Sequence, residues 1–263
     1  MASAVAWRLY MANLHRIFML EIENPLAVRR EVSFCEAVYD GHKTVEDVKA
    51  VLAVDADDIK KLWKKKEIAV LVDPQWHTLE KLRADVVADA ILAKKNLGTH
   101  TEEAELVIAL GPGFSAGKDV HMVIETNRGH NLGKIITSGS AEPSTGIPGS
   151  IGGYTEERVL RAPESETFHA QKEIGDYVKK NDVIGLVGET EVKARLDGVL
   201  RGLIRSESPV HRGLKIGDID PRGDPDYCYT ISDKARAIGG SVLEAILRVF
   251  NEQVGMRKSE IKP

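Results

Sequence analysis

The chain has 263 residues, 43% hydrophobic and 29% charged, with a formal net charge of −4 at pH 7. That length supports one large domain or two modest ones, each with its own core. The composition is ordinary for a globular protein, and the small negative balance gives no electrostatic case for nucleic acid or an acidic membrane.

The N-terminal stretch MASAVAWRLYMANLHR (1–16) lacks a basic n-region and a cleavage site, so it does not read as a signal peptide. Its periodicity is helical, with Val5, Leu9 and Ala12 on one face. RIFMLEI (16–22) reads as a buried strand, broken by Asn24-Pro25, and AVRREVSFCEAVYDG (27–41) as a helix stopped by Gly41. VKAVLAV (48–54) is strand-like. DADDIKKLWKKKE (55–67) opens with acids and continues with lysines, complementing a helix dipole, and its basic cluster reads as a solvated face. EIAVLVDP (67–74) is another strand, HTLEKLRA (77–84) a short helix, DVVADAIL (85–92) strand or helix, and ELVIALGPG (105–113) the clearest strand. Short apolar runs alternating with amphipathic helices predict an α/β fold on a mostly parallel sheet.

Ligands sit at the carboxyl ends of such strands, and three ends here carry unusual residues. ENPLAVRR brings Glu23, Arg29 and Arg30. LVDPQWH brings Asp73, Gln75, Trp76 and His77. IALGPGFSAGKDVH brings Gly111, Gly113 and Gly117, whose N–H groups can approach an anion, with Lys118 and His121 nearby. The glycine spacing is neither a Walker A sequence nor GxGxxG. A fourth stretch, VIETNRGHNLG (123–133), runs from a strand into Glu125, Asn127, Arg128, His130 and Asn131. As an anion cradle it offers Arg128 for bidentate contact, Asn127 and Asn131 as neutral donors, and His130 as a proton shuttle. The alternative is an internal ion pair between Glu125 and Arg128 that braces the loop.

From about residue 165 short β-branched runs and regular turns replace the helices. Ile174-Gly175-Asp176 and Ile216-Gly217-Asp218 echo one another around Asp197-Gly198-Val199-Leu200, and the pattern resembles a biotinyl/lipoyl-like flattened barrel. Val187 stands where carrier domains of that family hold their modified lysine, and Lys193 is too close to Gly198, so the resemblance implies the fold without a swinging arm. The segment 139–163, rich in Gly, Pro, Ser and Thr, reads as a linker or as a cover over an inter-domain cleft. The last helix, SDKARAIGGSVLEAILRVFNEQ (232–253), has Ser232 as N-cap, an apolar face of Val242, Ile246 and Val249 with Leu243 and Leu247 alongside, and Gly239-Gly240 for close packing against the sheet.

The strings FCEAVYDG, VDPQWHTLEKLRADVVADAILAKKNLGT, ALGPGF, VIETNRGHNLG, GSAEPSTGIPG, GVLRGLI, KIGDIDPR and ISDKARAIGGSVLEAIL together resemble the YqeB-type family over nearly the whole chain. Its members are accessory proteins of the selenium-dependent molybdenum hydroxylase system, with a Rossmann-like part similar to XdhC-type maturation proteins. The resemblance implies a cytoplasmic role in preparing molybdenum cofactor, and the leading reading is a protein that binds the cofactor or a precursor in the inter-domain cleft and assists its selenation, sulfuration or insertion. The implied partners are the molybdenum hydroxylase apoenzyme or a cofactor-supplying protein, with homo-oligomers left open. Family members usually begin with a strand and a glycine-rich turn that do not precede Met1-Ala2-Ser3 in this sequence, either because they are absent or because the start is truncated, and NAD or nucleotide binding is in doubt for the chain as given. An NAD- or nucleotide-dependent enzyme and a non-catalytic scaffold are the alternatives.

Sulfur or selenium delivery calls for a thiolate. Cys228, ahead of the Ser232-capped helix and near Lys234 and Arg236 in sequence, is the candidate relay. Two distant cysteines give no disulfide framework and suit a reducing compartment. No metal-ligand spacing stands out, and no structural zinc is expected. The expected layout is a Rossmann-like α/β domain over 1–160, a biotinyl/lipoyl-like β domain over 161–225, and a helix over 226–263 returning to the first.

Overall fold

The computed structural model describes residues 1–250. α1 (Ala2–Met11) is followed by β1 (Phe18–Glu21), two 3-10 turns (Arg30–Val32 and Phe34–Glu36), α2 (Ala37–Asp40) and the hairpin β2 (His42–Val45) and β3 (Val48–Leu52). Then come α3 (Ala56–Lys64), β4 (Ile68–Val72), α4 (Thr78–Lys81), β5 (Val86–Asp89), β6 (Leu106–Leu110), β7 (Met122–Ile124) and β8 (Ile135–Ile136). The remainder is strand-rich: β9 (Val159–Arg161), β10 (Thr167–Ala170), β11 (Tyr177–Val178), β12 (Val183–Val187), β13 (Thr190–Lys193), β14 (Gly198–Leu203), β15 (Ser208–Pro209) and β16 (Lys215–Asp220). α5 (Asp226–Tyr229) and α6 (Asp233–Phe250) close it.

The fold is mixed α/β, and the chain divides into two units that interleave in sequence. The first takes Met1–Ala12, Leu79–Ser144 and the chain from Asp233; the second takes Asn13–Thr78 and Thr145–Ser232. The single parallel sheet expected from the sequence is therefore two. In the first unit the order is β5-β6-β7-β8, with β5, β6 and β7 parallel and β8 antiparallel. β6 is buried at every residue because both of its faces are covered. Alternation sends Leu106, Ile108 and Leu110 to one core with Ile124, Val5 and, from α6, Ile238, Val242 and Ile246. Val107 and Ala109 face the other side, toward Phe114, Val120 and Ala141.

Gly239-Gly240 does not pack on that sheet. A Cβ at Gly239 would lie 2.9 Å from the Ala4 carbonyl of α1, and one at Gly240 would meet nothing within 4 Å, so helix–helix contact is what needs the first glycine. Leu247 and Val249, expected on the apolar face, are 38% and 43% exposed. The expected last turn of this helix, 251–253, lies outside the described residues.

In the second unit, parallel β1, β4 and β3 carry β2 on one edge, in the order β1-β4-β3-β2. The helix expected over 27–41 is instead two 3-10 turns and one α turn. Tertiary bonds override its periodicity: Arg30 Nε donates to the Leu203 carbonyl at 2.7 Å, and Val28 presses its carbonyl against Gly202, whose Cβ would lie 2.6 Å away. Two antiparallel sheets, β13-β12-β10-β15 and β11-β14-β16-β9, share one core of Leu160, Phe168, Ile184, Leu200, Ile216 and Ile219. Neither closes into a barrel.

Candidate functional site

In the first unit β5, β6 and β7 run parallel and end at one edge, at Asp89, Leu110 and Ile124. Asp89, 7% exposed, accepts hydrogen bonds from the Thr99 hydroxyl at 2.7 Å and the Ile91 N–H at 3.0 Å, which turns the following loop back on the strand end. Gly111 sits at φ +79 with its N–H on the Ile124 carbonyl; a Cβ there would lie 2.5 Å from Thr126 Oγ1. At Gly113, φ +113, a Cβ would lie 2.6 Å from the Lys95 nitrogen. These two glycines let three loops meet over the strand ends.

The 123–133 loop holds itself together, though not by the Glu125–Arg128 pair that the sequence offered as an alternative to a ligand. Glu125, 2% exposed, accepts from the Asn127 N–H at 2.6 Å and the Glu142 N–H at 2.7 Å, making no ion pair with Arg128. Asn127 and Asn131 donate their amides to the two oxygens of Glu142 at 2.6 and 3.2 Å, and these bonds hold that carboxyl below its usual pKa. Arg128 makes a bidentate pair with Asp233 at the start of α6, at 2.7 and 2.9 Å. Gly133, φ +81, closes the loop against α6, where a Cβ would be 2.8 Å from Ser241 Oγ. His130 is exposed.

Two polar groups at this edge make no hydrogen bond among the described residues, and the sequence reading missed both: the Thr126 hydroxyl and the Lys234 ammonium. Lys234 is half-buried on the first turn of α6. Burial, and secondly Arg128, lower its pKa against the pull of Glu125 and Asp233. The missed signal was the helix start itself: the sequence places Lys234 one residue beyond the partner of Arg128. A half-buried ammonium and a hydroxyl with no hydrogen bond among the described residues can together receive an anionic or carbonyl oxygen.

The other expected residues are elsewhere. Lys118 is exposed in the crossover turn, and His121 precedes β7, at the opposite end of that strand from Glu125, where its Nδ1 accepts the Val107 N–H at 2.9 Å. Asp73 and Gln75 belong to the second unit. Burial raises the Asp73 pKa, but bonds from the Thr78 hydroxyl and N–H, at 2.6 and 2.7 Å, bring it below the usual value, so it caps a turn; Gln75 is exposed. Cys228 does not lie at a helix start primed for thiolate. It is fully buried within α5, its thiol 3.8 Å from the Leu200 carbonyl, and burial raises its pKa despite Arg29 and Arg201. Cys35 is pushed up to about 12 by burial and nearby glutamates. Burial and a raised pKa oppose thiolate formation at both cysteines. No three His, Cys, Asp or Glu side chains among the described residues could hold a metal ion.

No family model matches the chain. It is similar to YqeB. That protein, named Uncharacterized protein YqeB, of Escherichia coli (strain K12), is 49% identical over 261 residues, 99% of this chain and 48% of the relative. The chain thus spans about half the length of the curated relative it matches. Among solved structures, the product-bound ectoine utilization protein EutE (DoeB) from Ruegeria pomeroyi aligns with 33% of this chain and 28% of its own, at 13% identity and a TM-score of 0.24. A succinylglutamatedesuccinylase/aspartoacylase from Rhodobacter sphaeroides aligns with 33% and 30%, at 16% identity and a TM-score of 0.22. Overlaps this slight carry no functional argument. Among the described residues no helix is long and apolar enough to cross a membrane.

Proposed function

We propose that this chain acts in maturation of selenium-dependent molybdenum hydroxylases. In this reading it binds molybdenum cofactor or a precursor and assists its selenation, sulfuration or insertion, in the cytoplasm, with the hydroxylase apoenzyme or a cofactor supplier as partner. The observation that carries it is the set of YqeB-type strings spread along the chain, together with 49% identity to YqeB itself over nearly all of it. The geometry is compatible: the three parallel strands of the first unit suit a Rossmann-like sheet, and the paired antiparallel sheets of the second suit a biotinyl/lipoyl-like domain. The contact for the cofactor's phosphate, in this reading, is the carboxyl edge of β5, β6 and β7, through Lys234 and Thr126 rather than through Arg128, whose guanidinium is engaged with Asp233.

The test is calorimetric titration of molybdopterin-type cofactor into the chain and into Lys234→Met and Arg128→Lys. Binding to the unaltered chain, weakened roughly tenfold or more by Lys234→Met and little by Arg128→Lys, is the expected result. Absence of binding to the unaltered chain would sink the cofactor reading and favour a scaffold role.

A further inference from the structure

A cavity of about 250 Å³ opens in the second unit, lined by Asn24, Leu26, Tyr39 and the turn from Arg205 to Pro209. Asn24 and Leu26 follow the carboxyl end of β1, the place where a parallel sheet presents ligands. The Arg205 guanidinium lies 4.4 Å from the centre of the Tyr39 ring. Both are fixed from behind. Arg205 Nε donates to Glu36 at 2.7 Å and a second nitrogen pairs with Asp40, while the Tyr39 hydroxyl donates to the Pro25 carbonyl at 3.0 Å. Glu36 is 2% exposed, and its other oxygen, Oε1, is buried with no partner. On the same turn as Arg205, Glu207, whose side chain is 73% exposed, holds a left-handed φ of +65 and pairs with His169 Nδ1 at 2.8 Å. A non-glycine residue in that region is strained, and such strain clusters at ligand sites.

Three properties narrow the ligand. The volume falls below the roughly 300–1,000 Å³ of typical ligand pockets, which suits a single ring system and not a dinucleotide. Glu36, Asp40 and Glu207 outnumber the cations Arg205 and, when protonated, His169, which disfavours an anion. The Arg205–Tyr39 pair supplies a flat platform and Leu26 and Pro209 supply apolar walls. We propose that this cavity binds a planar nitrogen heterocycle of the guanine type, against the Arg205–Tyr39 platform, with two adjacent N–H donors of the ring edge on the Glu207 carboxylate. The site belongs to the second unit and does not rest on the cofactor reading above.

The test is calorimetric titration of the full chain with guanosine, and with adenosine, whose corresponding ring edge presents an acceptor. Expected are guanosine binding in the micromolar to millimolar range and adenosine binding weaker by roughly tenfold or more, since the acceptor faces a carboxylate. Glu207→Gln should weaken guanosine by a similar factor and narrow the preference, with an unchanged circular dichroism spectrum. Leu26, 42% exposed, offers a second variant: Leu26→Arg fills the cavity from its outer wall and should abolish binding even if Glu207→Gln does not fold. Equal binding of the two nucleosides, no guanosine binding, or full binding by Leu26→Arg would each overturn the proposal.

Discussion

Lys234 shows how burial sets the cost of a charge. A lysine whose folded pKa is depressed is destabilising while charged; that cost is full below the folded pKa and is relieved as pH rises through it. Lys234→Met should therefore raise the melting temperature at pH 7 by about 2–4 °C, the shift expected for roughly 1 kcal/mol. The gain should shrink at alkaline pH, where the wild-type amine deprotonates; a lowered melting temperature would contradict this account. At this scale the polar residues were legible in the sequence and their partners were not. The polar density of VIETNRGHNLG lies at a strand end, but Asn127, Asn131 and Glu125 are spent on Glu142 and on backbone, and Arg128 on Asp233. Side-chain spacing cannot reveal a partner such as Asp233, which lies far along the chain.

Among the elements, β14 and β16 carry the strongest electrostatic commitment. The register shifts between Leu200 and Gly202, leaving Arg201 as the extra residue of a bulge. Its guanidinium reaches Asp218 and Asp220, both at 2.9 Å, while Arg158 and Lys215 also pair with Asp218, which is 1% exposed. Removing one partner of such a buried network strands the others, so Asp218→Asn should cost about 3–5 kcal/mol in urea unfolding. Burial pushes the Asp218 carboxyl up, but Lys215, Arg201 and Arg158 hold it below the usual value. Its contribution is then present above the unfolded pKa near 3.9 and lost as pH falls through the folded one. Wild-type stability should drop steeply below about pH 4, and Asp218→Asn should lack that part of the acid transition. Strands were the most readable elements, because β4 and β6 lie within parallel sheets and show as unbroken apolar runs. The 27–41 segment was unreadable because Val28 and Arg30 are recruited by β14, an influence that no local pattern records.

For the molecule as a whole, the sequence hid one decisive fact. All the β-α alternation sits in the first half, yet its strands are shared between two sheets because the chain changes units within it. The first unit depends on α6, whose Ile238, Val242 and Ile246 cover Leu106, Ile108 and Leu110. Ending the chain at Ser232 should therefore abolish cooperative unfolding of that unit. In a background with Trp63 and Trp76 replaced by phenylalanine, Trp7, which lies 5.1 Å from the Arg236 guanidinium, should then emit as a fully hydrated indole. Retained native emission would show that α6 is dispensable. The close approach of Gly239 to Ala4 has a consequence during synthesis. At roughly 5–20 residues per second, α1 emerges from the ribosome about ten to fifty seconds before the helix it clasps. Nascent chains must shelter an apolar helix through that interval, so the first unit can close only when nearly all of this sequence has been translated.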